Sequence, residues 1–189
     1  KFMDILIYFS LGAFLVLTLS ALKERFFGFA AQSPKDYEKE ELQFDLREHL
    51  NGPIDCEGVI YGPLGRVTSR FVGRFEAEWN GNKGYMREEF RYDSGTVQNR
   101  EWHLTLGNDG GIKAEAPDLI GVGTGAQRGS AVQLKYRIKL PDSAGGHELD
   151  TIDWMYLAPN GSVVNRSQFR KFGFKVAELV ATMRKVELA

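Results

Sequence analysis

The stretch DWMYLAPNGSVVNR, residues 153–166, sets an acid, an indole and a phenol before a Pro-Asn-Gly turn and an amide and a guanidinium after it. A carboxyl group among aromatic rings can do acid–base chemistry if it is buried. The same residues can also staple two strands together. A three-residue turn at Pro159, Asn160 and Gly161 pairs Ala158 with Ser162, and counting outward sets Trp154 opposite Arg166 and Met155 opposite Asn165. Trp154, Tyr156, Val164 and Arg166 then share one face, where a guanidinium over an indole contributes about 0.5–2 kcal/mol. Asp153 falls on the other face, diagonal to Asn165, whose amide can satisfy its carboxylate. The expectation is a structural staple of Asp153, Trp154, Asn165 and Arg166, with no catalytic residue assigned. An enzymatic reading would need a buried acid, for which Asp153, Glu57 and Glu101 are the candidates.

Other chemistry-bearing patterns are weaker. REEFRYDSG concentrates Arg87, Glu88, Glu89, Arg91 and Asp93 on a short strand and turn. Solvated cross-strand pairing accounts for it unless one carboxylate points into a closed cavity. GVGTGA, from Gly121 to Ala126, fits a dinucleotide loop by spelling, but QRGSAVQLKYRIKL continues as an alternating strand where such a loop needs a helix. Its glycines instead suit a strand approached closely by another backbone or a ligand. His49, His103 and His147 are far apart, and Cys56 is the single cysteine, so neither a metal site nor a cofactor is expected. With 24 Lys+Arg against 25 Asp+Glu, no basic field gathers nucleic acid.

These residues must be held by strands. From Ile54 onward, alternating segments are separated by the turns GPLG, NGNKG, DSG and GNDGG and by later ones, giving about ten strands at hairpin spacing. The final segment, with VAELVATMRKV, also fits a helix. In the second strand Val67, Phe71, Phe75, Ala77 and Trp79 line one face, while Arg70, Arg74, Glu76 and Glu78 line the other. So long a strand, with Gly73 midway, points to a closed barrel, which also removes exposed edges. Ahead of it, ILIYFSLGAFLVLTLSAL is an uncharged run of about 18 residues, enough nearly to span a bilayer. The reading is therefore residues 1–27 as a transmembrane anchor, 28–43 as linker and short helix, and 44–189 as an all-β antiparallel barrel of about 8–10 strands. Positive charge beyond the run leans the barrel toward the cytoplasmic side of a single-pass helix.

NGPIDCEGVIYGPLGRVTSRF, WNGN, FRYDSG with NREW, PDLIGVGTG, DWMYL with VVNR, and KFGFKV together resemble the bacterial family called domain of unknown function 3833, from about Phe44 to Arg184. The resemblance implies a lipocalin-like barrel with a cup for apolar ligands, often on a lipoprotein or membrane anchor, in the bacterial inner membrane. It implies no established activity. No cysteine closes the apolar run, so the helix itself is expected to anchor. Lipoprotein relatives would face the periplasm, whereas the charge count leans cytoplasmic, so the side stays open. The first expectation is a tethered module binding membrane lipid or another apolar ligand through Phe71, Phe75, Trp79, Phe90, Trp102, Tyr136 and Trp154. A second is an accessory subunit whose helix, with Ser10, Gly12 and Ala13, packs on integral membrane partners. A third is a lipid-modifying or isomerase-type enzyme.

Overall fold

The alternation that begins at Gly52 closes on itself. In the computed structural model, which describes residues 1–186, ten antiparallel strands form a closed up-and-down barrel in which each pairs with its sequence neighbours and the first with the last. The strands are β1 (Gly52–Tyr61), β2 (Val67–Asn80), β3 (Lys83–Tyr92), β4 (Val97–Leu106), β5 (Gly111–Glu115), β6 (Gly123–Arg128), β7 (Ala131–Lys139), β8 (Glu148–Leu157), β9 (Val163–Lys171) and β10 (Phe174–Lys185). The segment that also fitted a helix is β10, because its Ala181 and Met183 are buried on the barrel's inner face beside β1 and β9. The last three residues of the expected barrel domain, 187–189, lie outside the described residues. On β2 the expected faces are seen: Phe71, Phe75 and Ala77 are buried, while Arg70, Arg74, Glu76 and Glu78 are exposed.

The chain divides into two units, Lys1–Ser33 and Pro34–Ala189. The first is built on α1 (Phe2–Phe26), whose apolar stretch Phe2–Lys23 covers 22 residues and is long enough to cross a membrane. At about 1.5 Å per residue that is roughly 33 Å, against a hydrocarbon core of roughly 30 Å.

The second unit opens with a short 3-10 turn, Pro34–Tyr37, that lies against β6 and β7. Gly129, at φ +50°, is needed there: a Cβ would collide with the Tyr37 carbonyl. Its own carbonyl accepts the Phe44 N–H at 2.7 Å. The segment thus held leads into α2 (Leu46–His49), started by Asp45, whose Oδ1 accepts the Arg47 N–H at 2.9 Å.

Up-and-down topology gathers the turns β2–β3, β4–β5, β6–β7 and β8–β9 at one end. Here Phe44, Leu46 and Leu50 plug the barrel at 1–3% exposure. Trp79 latches the plug, its indole N–H donating to the Leu50 carbonyl at 2.8 Å, and the Leu46 N–H reaches Gln127 Oε1 at 3.3 Å. At the other end the inward-facing Ile60, Tyr92, Phe169, Ala177 and Leu179 are only half-buried. That end is a mouth.

Candidate functional site

Between plug and mouth the barrel is hollow. A cavity of about 280 Å³ is walled by inward residues of eight strands, aromatic for the most part on β2 to β4. Gly58 makes room for this wall, since a Cβ there would stand 2.7 Å from the ring of Phe71. Phe90 packs edge-on against Phe71 at 5.4 Å and Phe75 at 5.1 Å between centroids. Trp102 meets Tyr136 edge-on at 5.3 Å. Cys56 also lines the cavity, and burial pushes its thiol up to about 12. Such a thiol is inert at neutral pH.

Strand alternation puts polar groups on the same wall. Met86, Phe90 and Glu88 share one parity of β3, and Trp102, Leu104 and Arg100 share one parity of β4. Glu88 is 8% exposed, and its Oε2 accepts the Trp102 indole N–H at 3.2 Å. Burial raises its carboxyl above the ordinary carboxylate range, against the pull of Arg100. Arg100 lies over the Trp102 ring at 4.8 Å and holds Asp118 with two hydrogen bonds, of 2.7 and 3.2 Å. Burial opposes its charge, but Glu88 and Asp118 outweigh that and raise its pKa. The reach to Asp118 has a topological cause. β4 and β5 pair only over His103–Leu106 with Ile112–Glu115, so the earlier half of β4 faces the loop of residues 116–122 instead of a strand. A second recess, lined by Arg87, Pro117, Asp118 and Lys139, shares Phe75, Glu88, Gln98 and Arg100 with the cavity. The polar cluster is thus approached from the side as well as from the mouth.

The β8–β9 hairpin supplies the facing wall. Ala158 N–H donates to the Ser162 carbonyl at 2.8 Å, and Trp154 stands opposite Arg166 with Met155 opposite Asn165. Asp153 and Asn165 point inward and are hydrogen-bonded to each other. Ser167 Oγ adds a bond of 2.8 Å and Tyr136 Oη one of 3.3 Å to the same carboxyl. Burial raises Asp153 above its ordinary range in spite of these donors, and raises Tyr136 as well.

The structure brings Phe71, Phe75, Phe90, Trp102 and Tyr136 onto the cavity wall, while Trp79 and Trp154 stand off it. Trp79 serves the plug. Trp154 cannot face the cavity because Asp153 and Met155 do, and successive residues of a strand point to opposite faces. It is fully buried on the outer wall, stacked on Tyr156 at 5.7 Å with Tyr37 at 5.5 Å. Its partner across the strands, Arg166, bonds Glu178 at 2.7 Å. Of the acids an enzyme would need, Asp153 faces the cavity. Glu57 and Glu101 lie on the outer wall, where Glu57 holds Arg184 and Thr182, both at 2.6 Å, and Glu101 accepts from Tyr85 Oη at 2.8 Å. Arg100 and Asp118 are the site residues that motif reading passed over, and Glu88 is the carboxylate of REEFRYDSG that points into the cavity. Among the described residues no group of three or more His, Cys, Asp or Glu is placed to hold a metal. Chemically, the site can hold an apolar guest and offer it carboxyl oxygens from two opposite walls.

Residues 24–185 match a family model described as "Protein of unknown function (DUF3833)". No curated protein matches the chain. Solved structures similar in fold include the following two. The S-type phycobiliprotein lyase CPES from Guillardia theta superposes with TM-score 0.58 at 10% identity, over 84% of this chain and 99% of that one. Rv2717c from M. tuberculosis gives TM-score 0.53 at 16% identity, over 78% and 100%. At such identities the likeness is one of fold.

Proposed function

This chain belongs to the DUF3833 family, and we propose that it is a membrane-tethered module whose barrel binds a lipid-derived or other apolar small molecule in its interior. The observation that carries this reading is the hollow itself. Close-packed interiors leave few voids larger than a water molecule, yet here about 280 Å³ stays open beneath a half-buried mouth. That volume is at the small end for ligand pockets and suits one chain or one small ring system. The tether is α1, which would hold the cup where apolar molecules concentrate.

The test is native mass spectrometry of the full-length chain released from mild detergent, followed by lipid extraction. A bound small molecule in one-to-one ratio is expected. Protein carrying no guest would overturn the reading. A stable high-mass complex that carries no guest would also overturn it, in favour of an accessory subunit packed on an integral membrane partner through α1.

A further inference from the structure

The charged side chains of the cavity do not balance. Glu88, Asp153 and Arg100 line it, but the guanidinium makes its closest contacts elsewhere. Its Nε and Nη2 hold the two oxygens of Asp118 at 2.7 and 3.2 Å, whereas Nη1 is 3.6 Å from Glu88 Oε2, beyond hydrogen-bond reach. Arg100 is therefore hydrogen-bonded to Asp118 and paired with Glu88 only at the longer distance, so Glu88, Asp118 and Asp153 face a single guanidinium. The two acids on the cavity wall differ in how well they are satisfied. Asp153 accepts from Asn165, Ser167 and Tyr136. Glu88 accepts only from Trp102, through Oε2. Its Oε1 has no donor among the described residues, although Glu88 is 8% exposed and lines the cavity. An acceptor that opens onto the cavity is available to a donor carried in by a guest.

The rings beside it favour one kind of donor. Phe75, Phe90, Trp102 and Tyr136 surround the same space, and aromatic faces combined with a carboxylate attract ammonium groups. A carboxylate guest meets the opposite situation, facing two acids and an arginine already shared between Asp118 and Glu88.

We propose that the cavity receives a single-chain amphiphile carrying a protonated amine, head inward, with an N–H of the amine donating to Glu88 Oε1. Its apolar part runs along Phe71, Phe90 and Leu179 toward the mouth. This rests on the ligand-binding reading above and adds the chemistry of the head group.

Three probes with a common tail test it: octylamine, octanol and octanoate, titrated by calorimetry at neutral pH into the full-length chain held in amphipol. Octylamine is expected to bind at least tenfold more tightly than octanol, with octanoate weakest. In Glu88→Gln the advantage of the amine over the alcohol should fall to within threefold. Octanol binding as tightly as octylamine to the unaltered chain would overturn the head-group assignment and leave the binding reading intact. Binding of none of the three would overturn the reading on which it rests. The comparison among probes needs only the unaltered chain, so it stands whether or not the variant folds.

Discussion

At the end where the chain enters the barrel, Phe44, Leu46 and Leu50 fill the interior at 1–3% exposure and Trp79 ties them down. At the opposite end Ile60, Tyr92, Phe169 and Leu179 line the cavity and are only half-buried. At its rim Leu64, Phe172 and Phe174 stand 83, 88 and 77% exposed. Both ends are terminated by hairpins of the same alternating strands. They differ because only one receives a segment from outside the sheet. Ten strands enclose more space than their own side chains fill, so the plug supplies packing at one end and its absence leaves room at the other.

The largest expected effect lies at the plug. Leu50→Ala should cost about 2–5 kcal/mol, read as a fall in melting temperature, because the side chain is buried at 3% exposure within the core. Leu179→Ala at the mouth removes as many atoms but opens onto existing space, and should cost less than about 1.5 kcal/mol. Equal costs would break the comparison. Asp45→Ala removes the cap of α2 and should cost about 0.5–2 kcal/mol.

Acidification should separate the plug from the cavity wall by sign. Hydrogen bonding to Arg47 holds Asp45 below its ordinary value of 3.8, so its contribution is present above that value and is lost as pH falls through the lower one. Glu88 is raised above 4.5 by burial. Its unfolded form ionises first as pH rises, so its contribution is full below 4.5 and is lost as pH climbs through the raised value. Glu88→Gln should therefore be relatively more stable the further pH rises above 4.5, whereas Asp45→Asn should lose its disadvantage in acid. Melting curves across pH check both; parallel profiles for the two variants would contradict the assignment.

The smallest effect is at the rim. Phe172 adopts φ +51° at the β9–β10 turn, a left-handed conformation that β-carbon-bearing residues avoid. Phe172→Asn, which tolerates that region and gives up no burial, should raise stability by up to about 1 kcal/mol. A fall in melting temperature would show that the exposed ring packs on something.

The number and spacing of the strands, the inner face of β2 and the register of the β8–β9 hairpin were legible in the sequence because each depends on two-residue alternation and turn chemistry. The cavity was only partly legible. Large aromatic residues drew attention whatever their parity, and so Trp154 entered the ligand-binding set although Asp153, one residue away, belongs to the opposite face. Glu88 was hidden for the converse reason. Its neighbours Arg87, Glu89 and Arg91 made the whole stretch look solvated, yet Met86 and Phe90, two residues to either side, set its parity to the interior. Arg100 follows the same rule beside Trp102 and Leu104. Its bond to Asp118 was not legible, because it depends on β5 being too short to cover β4. Nor was the void, since a sequence does not state how far opposite walls stand apart.

The most direct test of the hollow barrel is binding of the neutral fluorophore N-phenyl-1-naphthylamine to the full-length chain in amphipol, compared with Ala181→Phe. Ala181 lines the cavity at 4% exposure, so the larger ring should occupy the guest's space. The account predicts saturable one-to-one binding to the parent, lost in the variant while its melting temperature is maintained. Equal fluorescence from both proteins, or none from the parent, would contradict it.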